Sequence, residues 1–183
     1  MKLGSDIDVK VFSGRISKLE KEAFEMKLIE NPSDIDMLLQ KADSEDLPFV
    51  YNLFWVLKGV SEESPKLLEI HVNSILKVMS LFKKNDGIQR NGTAILSNII
   101  IPEEYMSQCY KLCFGKLINS SRSIAERVFS MTTCFNIAIN YPELLEELKL
   151  VLSEILEKEG HLSAGIRSRA KSVLVKVNRH LHK

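Results

Sequence analysis

The stretch that decides the fold begins Tyr141-Pro142-Glu143-Leu144-Leu145-Glu146-Glu147-Leu148 and runs on to Glu159. Leu144, Leu148, Leu152 and Ile155 recur at i, i+4, i+8 and i+11, the spacing of one face of an α-helix. Pro142 stands at the first helical position, whose N–H has no intrahelical partner to lose. Glu143 follows at the positive end of the helix dipole. After a short break the chain resumes with Ser163-Ala164-Gly165-Ile166-Arg167-Ser168-Arg169-Ala170-Lys171, and Ile166, Ala170, Val173, Leu174, Val177 and Leu181 fall on one stripe. Two amphipathic helices joined by so short a link read as an antiparallel hairpin.

The same pattern extends toward the N-terminus. Leu68, Val72, Ile75, Met79 and Phe82 make another stripe. No segment alternates with period two, so no strand is expected. The helices are expected near 15–30, 33–42, 46–60, 65–82, 87–100, 103–119, 122–139, 142–158 and 164–181, with Ser33, Asp46, Asp86, Ser121 and Ser163 as candidate caps. A period is visible as well. Pro65, Pro102 and Pro142 are separated by 37 and 40 residues, each opens a long helix, and an arginine (Arg90, Arg127, Arg167) follows each by 25. A unit of roughly 40 residues built from two antiparallel helices is the signature of a HEAT or armadillo-type array. The expected fold is therefore all-α, an α-α superhelix of about four helical hairpins plus an N-terminal capping helix. Residues 1–183 read as one domain, with a disordered lead at 1–14, a cap at 15–32 and pairs at 33–62, 63–101, 102–140 and 141–183.

Composition agrees. The chain has 183 residues, 45% of them apolar, so a core can be buried, and 25 basic against 24 acidic residues leave +1. Disorder needs fewer apolar residues and a charge imbalance. No run approaches the ~18 apolar residues of a membrane span. Asp6, Asp8 and Lys10 interrupt any secretion signal, so the chain is expected to be cytoplasmic, with Cys109, Cys113 and Cys134 reduced.

Several segments resemble a family of short HEAT-like proteins from Bacteroidetes. They are Arg127-Val128-Phe129-Ser130-Met131, Asn136-Ile137-Ala138, Tyr141-Pro142-Glu143-Leu144 and Asn85-Asp86-Gly87-Ile88-Gln89-Arg90. Phe54-Trp55-Val56-Leu57 is similar to that family's tryptophan-bearing second helix, and 163–171 to its last helix. The likeness covers about residues 30–177 and departs where the family places a basic residue before its Trp-Val-Leu. It implies the repeat fold. Some family members carry an adenylosuccinate lyase label, but the Gly-Ser-Ser-x-Met-Pro-type loop of that superfamily is absent here.

No catalytic, cofactor-binding or metal-binding residue can be nominated. Cys109 and Cys113 lie one helical turn apart, but no nearby His or Cys completes a four-ligand zinc site, and their apolar neighbours point to core positions. His180 and His182 are two apart on a helix and diverge. No nucleophile elbow, phosphate loop or dinucleotide fingerprint occurs. The chain leans away from an enzyme.

Charge placement says more than net charge. Residues 160–183 hold Arg167, Arg169, Lys171, Lys176, Arg179 and Lys183 with no acid, whereas 141–159 hold six glutamates and two lysines. Partner-binding candidates are Arg90, Arg127, Arg167, Arg169 and Trp55. The arginine series reads either as a ladder joining repeats or as a ridge on a concave face. The expected function is a non-enzymatic interaction or scaffold module for a protein or peptide. Nucleic-acid binding, as in HEAT-like DNA alkylation-repair proteins, is the alternative, disfavoured by the net charge. A lyase is a third reading without a motif. The charged ends, Lys18, Glu20, Lys21 and Glu22 at one and the basic helix at the other, point to a monomer or weak dimer.

Overall fold

The computed structural model describes residues 9–161 and 163–182. Of the lead expected to be disordered, 1–8 lie outside the described residues, and Lys183 does too. Val9–Ser13 form a 3-10 turn. Phe12 packs its ring against Phe24 and Phe49, with centroids 4.8 and 5.6 Å away. Asn52 anchors that turn by donating from Nδ2 to the Phe12 and Gly14 carbonyls, both at 2.7 Å.

Ten α-helices follow among the described residues: α1 Lys18–Glu30, α2 Ser33–Lys41, α3 Leu47–Glu63, α4 Lys66–Glu69, α5 Val72–Leu81, α6 Asp86–Asn98, α7 Glu103–Ile118, α8 Ile124–Ala138, α9 Pro142–Glu159 and α10 Ala164–Leu181. No strand is present among the described residues. The chain packs as two compact units, one ending at Pro102 and one beginning at Glu103.

In the first unit α3 packs against α1 and α6, and α2 against α5. Tyr51 lies against Gly87, and Asn98 Nδ2 donates to Ser61 Oγ at 2.9 Å. Both links run between residues 36 or 37 apart, so α3 and α6 are parallel and in repeat register. In the second unit α7 packs on α8, and α10 packs on both α9 and α8. Ile124 lies beside Gly165, and Arg169 NH1 donates to Thr132 Oγ1 at 3.2 Å. Second helices thus stack in parallel register within this unit also, as a repeat requires.

Local chemistry moved several expected boundaries. The helix expected over 65–82 breaks after Glu69 and restarts at Val72. His71 turns inward there, with Nδ1 3.8 Å from Asp36 Oδ1 on α2, while Ile70 is left 81% exposed. Asn85, not Asp86, caps α6 by accepting from the Ile88 N–H at 2.9 Å. Ser123, not Ser121, caps α8, because it directly precedes Ile124 and its Oγ accepts from the Glu126 N–H at 3.2 Å. Ser33 is the first residue of α2, behind Pro32, which has no side chain to cap with. On α9 the buried stripe is Leu145, Leu148, Leu152 and Ile155, with Leu144 only half-buried.

Candidate interaction surface

The second unit contains a buried charge network that fixes α8. Arg127 is 4% exposed, and its Nε donates to the Leu117 carbonyl at 2.9 Å. Its two terminal nitrogens grip the Glu159 carboxylate at 2.5 and 3.0 Å. One side chain thereby ties the end of α7 to the end of α9. The Arg127 guanidinium holds the Glu159 carboxyl below the usual range, against a smaller desolvation effect. One residue earlier on α8, Glu126 is buried and pairs with Lys116 at 2.7 Å. Sequence reading missed this pair, although the Ser123-to-Glu126 spacing is a capping signal that places the acid in the first turn.

The three arginines that share one offset in the sequence do not share one environment. Arg127 is committed to the interior bonds just described. Arg90 on α6 is exposed and makes no ion pair among the described residues. Arg167 on α10 is exposed and likewise unpaired. Arg169 is half-buried against Thr132, and lies about 200° around the helix from Arg167, so the two cations point to opposite flanks. Trp55 is half-buried on α3, between the fully buried Phe54 and Val56. Arg90 lies close to the α3–α6 register offset from Trp55, in the same unit. Arg167 and Arg169 belong to the other.

The surface made by α8 and α10 has one sign. Glu126, the only acid on α8, is buried and paired, and α10 has no acid at all. Every charged side chain of this layer that reaches solvent is therefore a cation. Lys176 Nζ sits 5.7 Å from the Phe135 ring centre, within cation–π range, and the His180 ring meets the same Phe135 edge-on at 5.5 Å. Arg169, Lys176 and His180 share the flank of α10 that meets α8 at Thr132 and Phe135, and on α8 Ala125, Val128, Phe129 and Thr132 are half-buried at helical spacing. Lys176 was not singled out in the sequence, though it stands seven residues after Arg169 and so shares its flank.

The thiols are placed for packing rather than chemistry. Cys109, Cys113 and Cys134 are all fully buried. Burial pushes Cys109 up to about 12 and Cys113 up to about 11, and raises Cys134 well above the ordinary thiol value. Nucleophilic thiolates need the opposite shift. Among the described residues no group of three or more His, Cys, Asp or Glu could hold a metal ion. No helix among them is long and apolar enough to cross a membrane.

Antiparallel helix pairs whose second helices stack in parallel register define a helical-repeat protein. The HEAT repeat domain family matches residues 9–177, and the chain belongs to that family. No curated protein and no solved structure matches it.

Proposed function

We propose that this chain is a non-enzymatic interaction module that binds an acidic segment of a partner protein across α8 and α10. The observation that carries this is the one-signed layer: on one flank of α10, Arg169 donates to Thr132 and Lys176 sits over the Phe135 ring, with no acid of α8 or α10 reaching solvent. An amphipathic acidic helix could lay its apolar side on the α8 stripe and its carboxylates on the α10 cations. Repeat proteins use extended faces of this kind for binding. The buried, protonated thiols speak against nucleophilic catalysis in the second unit. Nucleic-acid phosphate is the second reading, favoured by the same unneutralised cations and opposed by the acidic α9 alongside. In neither reading does Arg127 touch the partner, because it is buried and its guanidinium is bonded to Leu117 and Glu159.

The test compares capture from source-cell extract by the wild-type chain and by an Arg169→Glu/Lys176→Glu variant, together with titration of labelled duplex DNA at ~50 mM salt. Loss of specific protein partners in the variant, with no DNA binding, supports the reading. Partners that survive the double reversal sink it. DNA binding that falls steeply with salt moves the assignment to phosphate.

A further inference from the structure

A different flank of the same helix pair carries a second pattern. On α9, Glu146, Leu150, Glu154 and Glu157 are exposed at helical spacing, with Leu150 71% exposed. On α10, Arg167, Lys171, Val175 and Arg179 are exposed at helical spacing, with Val175 51% exposed. Each stripe is three charges of one sign and a single aliphatic residue. The aliphatic is the second residue of the first stripe and the third of the other, and the helices run in opposite directions.

That opposition is what matters. α9, ending at Glu159, and α10, beginning at Ala164, pack against each other. Counted outward from those two ends, Glu157 stands level with Arg167, Glu154 with Lys171, Leu150 with Val175 and Glu146 with Arg179, each within roughly 3 Å of rise. Yet none of these level pairs bonds within the chain. Among the described residues Glu154 and Glu146 pair only with the neighbouring Lys158 and Lys149 on their own helix. Arg167, Lys171 and Arg179 make no ion pair among the described residues. The two stripes point outward, side by side.

We infer that this face is the interface for a second copy of the same chain. Half a turn about an axis parallel to the two helices lays α9 of one copy on α10 of the other at unchanged height. Glu157, Glu154 and Glu146 then meet the other copy's Arg167, Lys171 and Arg179, and Leu150 meets its Val175. The axis doubles every pair, giving six ion pairs around two aliphatic contacts. Such a patch is self-complementary and closes as a dimer. It uses the outward flank of α10, not the α8 side assigned above to an acidic partner, and stands whether or not that partner exists.

Sedimentation equilibrium on the full chain, at concentrations up to ~1 mM and at low and high salt, provides the test. The expected result is a dimer that weakens as salt screens its exposed pairs. Lys171→Glu should weaken it at least about tenfold, since both symmetric pairs turn repulsive. Glu154→Lys/Lys171→Glu should restore it, because the swapped charges face each other again. Both sites are exposed, so the variants should fold, which circular dichroism is to check before association is measured. A chain monomeric at every concentration overturns the inference. So does a dimer indifferent to Lys171→Glu, a double swap that fails to restore association, or a monomer in which Lys171→Glu abolishes binding of an acidic peptide instead.

Discussion

Replacing Arg127 by methionine removes a bidentate ion pair and a backbone hydrogen bond while keeping most of the apolar stem. The Leu117 carbonyl loses its Nε donor at 2.9 Å, and the Glu159 carboxylate loses both of its guanidinium bonds. A lost bond to a charged donor costs ~1.5–3 kcal/mol, and breaking a fully buried pair costs ~3–5 kcal/mol. Glu159 keeps 27% of its side chain in water, so it regains solvation when the arginine goes. The combined loss is therefore set at about 3 kcal/mol, toward the lower end of those ranges. Arg127→Lys keeps the charge without the planar fork and should lose about half as much. Arg90→Ala and Arg167→Ala remove exposed, unpaired side chains and should stay within ~0.5 kcal/mol of wild type.

Chemical denaturation followed by far-UV ellipticity measures all four variants on one scale. The contrast is the point, because the three arginines occupy one position in the sequence period. An Arg127→Met variant within ~0.5 kcal/mol of wild type would refute the bonding scheme drawn for α7, α8 and α9. Equal losses at all three arginines would refute it too, by making them one structural ladder.

Three further outcomes are expected. Gly59→Ala should leave the first unit within ~1 kcal/mol of wild type, because its Cβ meets only the carboxylate end of the flexible Glu25 side chain, which can swing aside, and alanine is the better helix former; a loss of ~3 kcal/mol in denaturation would show that Glu25 cannot move. Burial lowers the His71 value from 6.5, so the unfolded chain binds the proton more readily, and stability present at neutral pH should fall as pH drops below about 6.5, an effect that a denaturation series between pH 8 and 5 should show shrinking in His71→Gln. The three buried thiols should resist a water-soluble thiol reagent in the native chain and all react after unfolding; fast labelling of any one under native conditions would show that its environment is not the buried one described.

What the sequence made legible was whatever follows from helical period. The all-α architecture, the capping serine at Ser163 and the buried Ile166, Ala170, Val173 and Val177 all rest on spacing and on caps. What it hid was set by neighbours distant in the chain. Nothing within a few residues of His71 tells that an inward turn toward Asp36 breaks the helix there. The 25-residue offset shared by Arg90, Arg127 and Arg167 suggested one role, but only Arg127 has an acid, Glu159, within reach across the pair. Arg167 and Arg169 looked like neighbours, and on a helix two positions are the worst spacing for acting together. Lys176, which shares the flank of Arg169, read only as one basic residue among six until Phe135 on α8 gave it a contact.

The near-cancellation of charge, +1 over 183 residues, conceals a division that the hairpin turns into geometry. Acids lie on α9, and α10 carries cations alone. An antiparallel turn sets those two helices side by side, so segregation along the chain becomes segregation across a surface. On the α8 side of α10 the result is a strip of one sign, suited to a partner of the other sign. On the outward side both signs lie level with each other around Leu150 and Val175, and a surface with that pattern is complementary to its own half-turn image. One helix can serve both purposes because 100° per residue gives it two independent flanks. Arg169 and Lys176 belong to the first flank, Arg167 and Lys171 to the second, so charge reversals on one flank should leave binding at the other unchanged.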